Sequence, residues 1–271
     1  MRLLYFGDVF GRSGRETLCD RLPELRRDLA LDFVVANGEN AAGGFGITGK
    51  ICAQFFDAGV DVLTTGNHVW DQKEIFSYIA SEPRLLRPEN YPADRPGRGV
   101  GSYRTAAGLR VVVIQVMARL FMPPLDDPFA VLQNALKAHR LGVNVDVVLV
   151  DIHGEATSEK MALAHTIDGR ATLAVGSHTH IPTADAQIFP GGTAYQTDAG
   201  MCGDYDSVIG VIKQNSIDRF TKKQPTVRLE PALGEATLCG VFVESDDTTG
   251  LARHVAPLRL GGRLAPAWPL D

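Results

Sequence analysis

The chain lacks the marks of several protein classes, and each absence narrows the choice. Its four cysteines, Cys19, Cys52, Cys202 and Cys239, are far apart and form no CxxC pair, which argues against a zinc ribbon or a dithiol redox centre and leaves buried or reactive thiols. No apolar run approaches membrane-spanning length, so no membrane partner is expected. The first residues, MRLLYFGD, enter a strand-like run without the charged lead, apolar stretch and cleavage site of a secretory signal. With no disulfide framework either, the expected compartment is the cytoplasm. A basic excess is also missing: the formal charge of −5 argues against long nucleic acid as a partner, while a small anionic substrate remains compatible if bound cations supply local positive charge. Neither an internal repeat nor a low-complexity tract calls for a second unit, so the 271 residues, 45% of them apolar, are expected to form one domain over 1–271. Self-association as a homo-oligomer is left open.

What the chain does contain is a recurrence. Short apolar runs end again and again in residues that ligate metals: LLYFGD supplies Asp8, VVANGEN ends at Glu39 and Asn40, VLTTGNH at Asn67 and His68, VVLVDIH at His153, and LAVGSHTH at His178 and His180. Such runs, alternating with helical segments, read as parallel strands of an α/β sheet, and these sheets place ligands beyond the carboxyl ends of their strands. Residues scattered along the chain can therefore converge. Oxygen and imidazole donors with no thiolate among them suit a hard or borderline divalent ion such as manganese, iron or zinc. Their number is enough for two ions.

The coarse pattern supports that layout. Ser13 and Glu16 have capping-box spacing, which predicts a helix from Gly14 towards Leu29 with Pro23 as a kink or an early end. A strand at 33–37, a glycine-rich loop, a helix at 49–58 and a strand at 61–65 follow, and Asp71 with Glu74 opens a helix near 72–80. Residues 83–104, rich in Pro, Gly and Arg, read as a long loop and a candidate rim of the site. Strands at 110–117, 145–151 and 172–176 alternate with helices at 129–140 and 158–167. TLCGVFVES and RHVAPLRL, separated by DDTTG, read as a C-terminal β-hairpin.

Taken singly, each candidate has a plainer explanation. His178 and His180, expected to project to one side of an extended stretch, are about as well explained as packed or exposed imidazoles at a strand end. Gly66-Asn67-His68 can be a turn, Asp8 a helix-entry cap, His153 a satisfied core imidazole and Glu39 a surface carboxylate. Jointly these explanations require unrelated accidents at the same end of successive strands.

In this combination the residues resemble the calcineurin-type metallophosphoesterases, with GD at 7–8, NGEN at 37–40, GNH at 66–68, DIHGEA at 151–156 and SHTH at 177–180. More narrowly, NGENAAGGFGIT, TTGNHVWDQKEI, HGEATSEKMAL, HTHIPTAD and PGGTAYQTDAGMCGDYDSVIG look like the YmdB-like branch, a likeness that runs from Met1 to about Ile212. The resemblance implies a layered α/β/β/α sandwich whose motif-bearing strands are mostly parallel. It also implies a dinuclear phosphodiesterase acting on cyclic nucleotides of the 2′,3′-cyclic AMP type, with iron or manganese, or else zinc, as the two divalent ions. The first ion would take Asp8, Glu39, Asn40 and His180, and the second Glu39, Asn67, His153 and His178, with Glu39 bridging. A metal-bridging hydroxide would attack phosphorus and His68 would protonate the leaving oxygen.

Two departures from the broad family stand out. Its DxH motif reads Asp8-Val9-Phe10 here, and its bridging aspartate is Glu39. In the narrower branch Asn40 fills the vacant place with a neutral carboxamide oxygen. Asp151, Asp185 and Asp198 are candidates to hold histidine ring N–H groups, and Arg12 and Arg15 to receive a phosphate. His139, His165 and His254 receive no role.

Two rivals to this reading remain at this level. GFGITGK, Gly44 to Lys50, matches most of a GxxxxGK[ST] phosphate loop and contains GxGxxG, and VVLVD imitates the acidic strand of an ATPase, but Ile51 lacks the hydroxyl that would hold magnesium. The other rival is a catalytically decayed, metal-binding interaction protein, favoured by the missing DxH histidine.

Overall fold

The computed structural model of the chain describes residues 1–222 and 228–270. Strands β1 (Arg2–Phe6) and β2 (Asp8–Val9) lead into α1 (Gly11–Asp28), followed by β3 (Phe33–Asn37), α2 (Gly49–Ala58), β4 (Val62–Thr64) and α3 (Ile75–Ser81). A second run comprises β5 (Val100–Arg104), β6 (Arg110–Met117), α4 (Pro128–Ala138), β7 (Val147–His153), α5 (Thr157–His165), β8 (Leu173–Ser177), β9 (Gln187–Ile188) and β10 (Ala194–Gln196). The chain then returns through β11 (Met201–Asp204), α6 (Lys213–Thr221), β12 (Ala236–Ser245) and β13 (Ala252–Leu260).

These strands form two sheets. One is seven-stranded, ordered β2-β11-β12-β1-β3-β4 with β13 on β12, and the other is six-stranded, ordered β5-β6-β7-β8-β10-β9. Within them β1, β3 and β4 run parallel, as do β6, β7, β8 and β10. Strand alternation divides the apolar residues among layers. Leu3, Tyr5, Val35, Val113, Leu149 and Val175 meet between the sheets. Leu4, Phe6, Val34 and Ala36 face outward against Leu18, Leu22 and Leu25 of α1 and Phe55 of α2. On the other side Val112, Ile114, Val148 and Val150 meet Leu132 and Leu136 of α4 and Leu163 of α5. The result is the expected α/β/β/α sandwich, and burial on both faces explains why the strands read as continuous apolar runs. The hairpin of β12 and β13 is present and antiparallel.

Local expectations fail where side chains have other partners. Helix α1 begins at Gly11, with Phe10 as a cap that makes no side-chain bond. Ser13 Oγ donates to the Ala232 carbonyl and Glu16 pairs with Arg12, so neither builds a capping box. Pro23 does not end α1; it lies on the exposed side, where the carbonyl deprived of its helical partner can meet water. Asp71 and Glu74 form no capping box on α3 either, since Asp71 faces His68 and Glu74 Oε1 accepts from the Gly49 amide in the first turn of α2. The loop predicted over 83–104 contains edge strand β5, antiparallel to β6, whose Gly, Ser and Arg residues mask its alternation.

Helix α1 lies so close to β11 that a Cβ at Gly14 would stand 1.9 Å from the Cys202 carbonyl oxygen. Gly14→Ala raises intrinsic helix propensity by about 1 kcal/mol, yet overpacking of this kind typically costs about 1–3 kcal/mol. Urea unfolding should therefore show a net loss of stability, and a more stable variant would contradict the packing.

Candidate metal centre

Parallel strands of both sheets end at one edge, and the sequence candidates meet there. Asp8 follows β1, Glu39 and Asn40 follow β3, Asn67 follows β4, His153 ends β7 and His178 follows β8. Asp8, Glu39, Asn40 and His153 are all buried, and His180 is nearly so. His153 Nε2 lies 3.1 Å from Glu39 Oε1 and 2.9 Å from Asn67 Oδ1. Donor atoms of Glu39, His153 and His178 lie within 4.8 Å of one another. Asp8 Oδ2 accepts from the His178 amide at 3.0 Å, and Glu39 Oε2 from the His68 amide at 3.0 Å. Gly66 is required at this junction: a Cβ there would stand 2.4 Å from both Glu39 Oε2 and His153 Nε2.

Two oxygens carry particular weight. Asp8 Oδ1 and Asn40 Oδ1 are buried without a hydrogen-bond partner, and such orphans are rare in folded proteins because each forfeits its hydration. Asn40 is aimed deliberately, since its Nδ2 donates to the Gly44 carbonyl at 2.9 Å and leaves the oxygen pointing away. The donors fit hard or borderline divalent cations, which would satisfy both oxygens.

Burial and mutual pairing set the titration of these groups. Burial raises the Asp8 carboxyl to about 6, against the opposing pull of His180 and His153. Burial also pushes Glu39 upward, but the adjacent His153 outweighs it and holds Glu39 at about 2. His153 is pushed down by burial and up, more strongly, by Glu39, reaching about 9. Burial and the neighbouring His153 lower His178 to about 3, so its imidazole is neutral and free to ligate at neutral pH.

Around these donors lies a supporting shell that sequence reasoning placed only in part. His153 Nδ1 is 2.9 Å from Ser177 Oγ, which donates to Asp151 Oδ1 at 2.8 Å. This relay fixes the ring so that Nε2 faces the centre. His180 Nδ1 is 2.8 Å from the Ile209 carbonyl, which likewise directs Nε2 inward. None of the three expected aspartates touches a histidine ring. Asp151 acts through Ser177, Asp185 holds the amide of Thr197, and Asp198 holds the amides of Thr179 and Gly200.

Beyond the end of β8 at Ser177, the His178-Thr179-His180 stretch is not extended, contrary to the geometry expected from HxH. His178 and His180 have φ values of 101° and 66°, a left-handed backbone that non-glycine residues adopt at a cost. The loop is clamped from beneath. Lys160 Nζ, wholly buried, donates to Asp198 Oδ2 at 3.0 Å and to the Ser177 carbonyl at 3.3 Å, while Asp198 Oδ2 accepts from the Thr179 amide at 3.0 Å. Although burial pushes the Asp198 carboxyl up, Lys160 and the backbone donors outweigh it and hold it low. Nothing in SEKMALAH marks Lys160 as anything but a solvated helical lysine.

The centre opens into a cleft of about 330 Å³ whose walls include Phe10, Phe45, His68, Glu155, Ile209, Val211 and Leu229. Phe10, in the place of the missing DxH histidine, packs edge-on to His180 with ring centroids 5.3 Å apart. His68 Nδ1 is 2.8 Å from Asp71 Oδ2, a partnership foreshadowed only by the three-residue spacing in HVWD. Among the described residues, none of 83–104 lines the cleft, so the predicted rim is displaced. Arg12 is exposed and paired with Glu16, and Arg15 donates to the Ala41 carbonyl, so neither awaits a phosphate in the cleft.

The phosphate-loop rival also fails on geometry. Gly44 and Gly46 take positive φ to wrap the loop against Phe10 and Gln72, Thr48 caps α2 by accepting from the Ile51 amide, and Lys50 points to solvent. Of the unassigned histidines, His165 stacks on Phe189 and His254 Nε2 lies 2.9 Å from the Pro269 carbonyl.

The clamp predicts a stability effect. Lys160→Met strands the buried Asp198 carboxylate and should destabilise the fold by about 3–5 kcal/mol in urea unfolding. Lys160→Met with Asp198→Asn should recover part of that loss. A single variant as stable as the parent would contradict the clamp.

The YmdB-like protein family model matches residues 4–258. A Bacillus subtilis (strain 168) protein described as 2′,3′-cyclic-nucleotide 2′-phosphodiesterase is 45% identical over 253 residues, covering 92% of this chain and 93% of that one. Two crystal structures are close. A hypothetical protein from Thermus thermophilus has a TM-score of 0.90 at 41% identity, covering 97% of this chain and 100% of that one. A phosphatase from Mycoplasma pneumoniae has a TM-score of 0.89 at 32% identity, covering 96% and 93%. Given a family match across nearly the whole chain and this level of identity, the protein belongs to the YmdB-like family.

Proposed function

We propose that the chain is a single-domain, dinuclear metal-dependent phosphodiesterase that hydrolyses cyclic nucleotides of the 2′,3′-cyclic type. The observation that carries the reading is the pair of orphaned buried oxygens, Asp8 Oδ1 and Asn40 Oδ1, beside a Glu39 carboxylate already shared between donors on both sheets. Asp8, Glu39, Asn40 and His180 would hold one ion, and Glu39, Asn67, His153 and His178 the other. Iron or manganese fits this oxygen-rich set first, and zinc next. When bound, such a pair lowers the pKa of water and offsets charge on the phosphoryl oxygens. The nucleotide character of the substrate is supported by the B. subtilis relative and by the aromatic and aliphatic cleft wall of Phe10, Phe45, Ile209 and Leu229, against which a base can pack.

The protein's own groups account for proton placement. Hydrolysis adds a water oxygen to phosphorus and breaks one phosphorus–ribose oxygen bond, and the departing oxygen needs a proton. His68 lines the cleft with Nδ1 engaged by Asp71, which leaves Nε2 to deliver that proton as general acid. Asp71 fixes the tautomer and offsets the imidazolium charge before transfer. The Ser177–Asp151 relay keeps His153 Nε2 directed inward throughout.

The test is a panel of 2′,3′-cyclic, 3′,5′-cyclic and linear diesters assayed on protein whose metal content has been measured. Turnover of the 2′,3′-cyclic substrate is expected, and failure across the panel despite two ions per chain would overturn the assignment. His68→Ala should lower kcat on ribose esters by roughly 10²- to 10⁴-fold. The loss should be much smaller on an aryl diester, whose phenolate leaves without a proton. Equal losses on both would remove His68 from that role.

A further inference from the structure

We propose that Glu155 determines the charge the cleft accepts, admitting a phosphodiester monoanion and disfavouring a phosphomonoester dianion, the reaction's own product included. The inference rests on the diesterase reading above. Glu155 sits between β7 and α5, two residues beyond His153, and its side chain is 51% exposed at the cleft wall with Oε2 3.3 Å from His178 Nε2. Among the described residues no lysine or arginine lines the cleft or pairs with Glu155, so none of these cations neutralises its charge.

Charge counting makes the consequence concrete. The proposed ligand set contains two carboxylates, Asp8 and Glu39, against two divalent ions, and is left net positive. Such a centre would by itself favour the more highly charged anion. Among the described residues Glu155 is the sole cleft-lining carboxylate outside that set, and it opposes the preference where an incoming phosphate must pass. A diester carries one negative charge before and during binding. Once a phosphorus–oxygen bond has been cleaved and the ribose oxygen protonated, the product carries a second negative charge, and repulsion by Glu155 favours its departure. Discrimination of this kind penalises the wrong ligand instead of adding a contact to the right one.

Glu155→Gln keeps the size and the hydrogen-bonding oxygen while removing the charge. At about pH 8, where inorganic phosphate is a dianion, calorimetric titration of the metal-loaded protein should show phosphate bound about tenfold more tightly by the variant. The ratio of kcat/KM for bis(p-nitrophenyl) phosphate to that for p-nitrophenyl phosphate should fall by a similar factor. Both differences should shrink in 1 M salt, because a half-exposed charge is screened there, whereas a purely structural effect would not respond. Unchanged phosphate affinity overturns the proposal. So does a variant that binds fewer ions than the parent, because Glu155 would then be a ligand. If the loaded parent cleaves no diester at all, the diesterase reading fails separately, and the phosphate titration still decides the role of Glu155.

Discussion

Burial of oxygen donors that the protein does not itself satisfy is the constraint on which this structure turns. Asp8 and Asn40 each carry a buried oxygen without a partner, and Glu39 shares its carboxylate with an imidazole and a backbone amide from different sheets. Leaving such groups in a low-dielectric interior costs stability, and a fold retains them where a cation recovers the cost. The sandwich makes the arrangement possible because both sheets present the carboxyl ends of parallel strands at one edge. The donors come from the last residue of a strand, as His153 does in β7, or from the residues shortly after one, as Glu39, Asn67 and His178 do after β3, β4 and β8.

The histidine loop shows how the same constraint shapes the backbone. His178 and His180 are both left-handed, and that conformation is held by several fixed neighbours: Asp198 and Lys160 beneath, Tyr205 Oη donating to the His180 carbonyl, and the Ile209 carbonyl beside the His180 ring. A buried ion pair is weak evidence of stability in general, but here it holds a strained segment in one geometry, a use for which such pairs are suited. Ile209 itself has positive φ, which is unusual for a β-branched residue, and its side chain also lines the cleft. The segment carrying Ile209 therefore couples the orientation of His180 to the shape of the substrate wall.

Much of this was legible in the sequence, and what escaped has a common cause. The strands of both sheets stood out because burial on two faces writes continuous apolar runs, and the donor residues stood out because they recur at the ends of those runs. The conformation of GSHTH did not, since nothing local in two histidines and a threonine announces positive φ. Ser13, Glu16, Asp71 and Glu74 misled because capping-box spacing specifies only a local possibility, whereas their actual partners are an arginine one turn away, a histidine, and groups on other elements. Lys160, Ser177 and Glu155 were invisible for the same reason: a buried lysine is recognised by the carboxylate 38 residues away that it meets, not by its neighbours in the chain. Edge strand β5 was hidden in its Gly and Arg content, and pairing with β6 supplied the order that local propensity did not.

The central claim is that two cations lie on either side of Glu39. Anomalous diffraction from crystals grown with manganese, measured on both sides of its absorption edge, tests this directly. The account predicts two peaks about 3.5–4 Å apart, one beside Asp8, Asn40 and His180 and the other beside Asn67, His153 and His178. A single peak, or manganese bound away from Glu39, would contradict it.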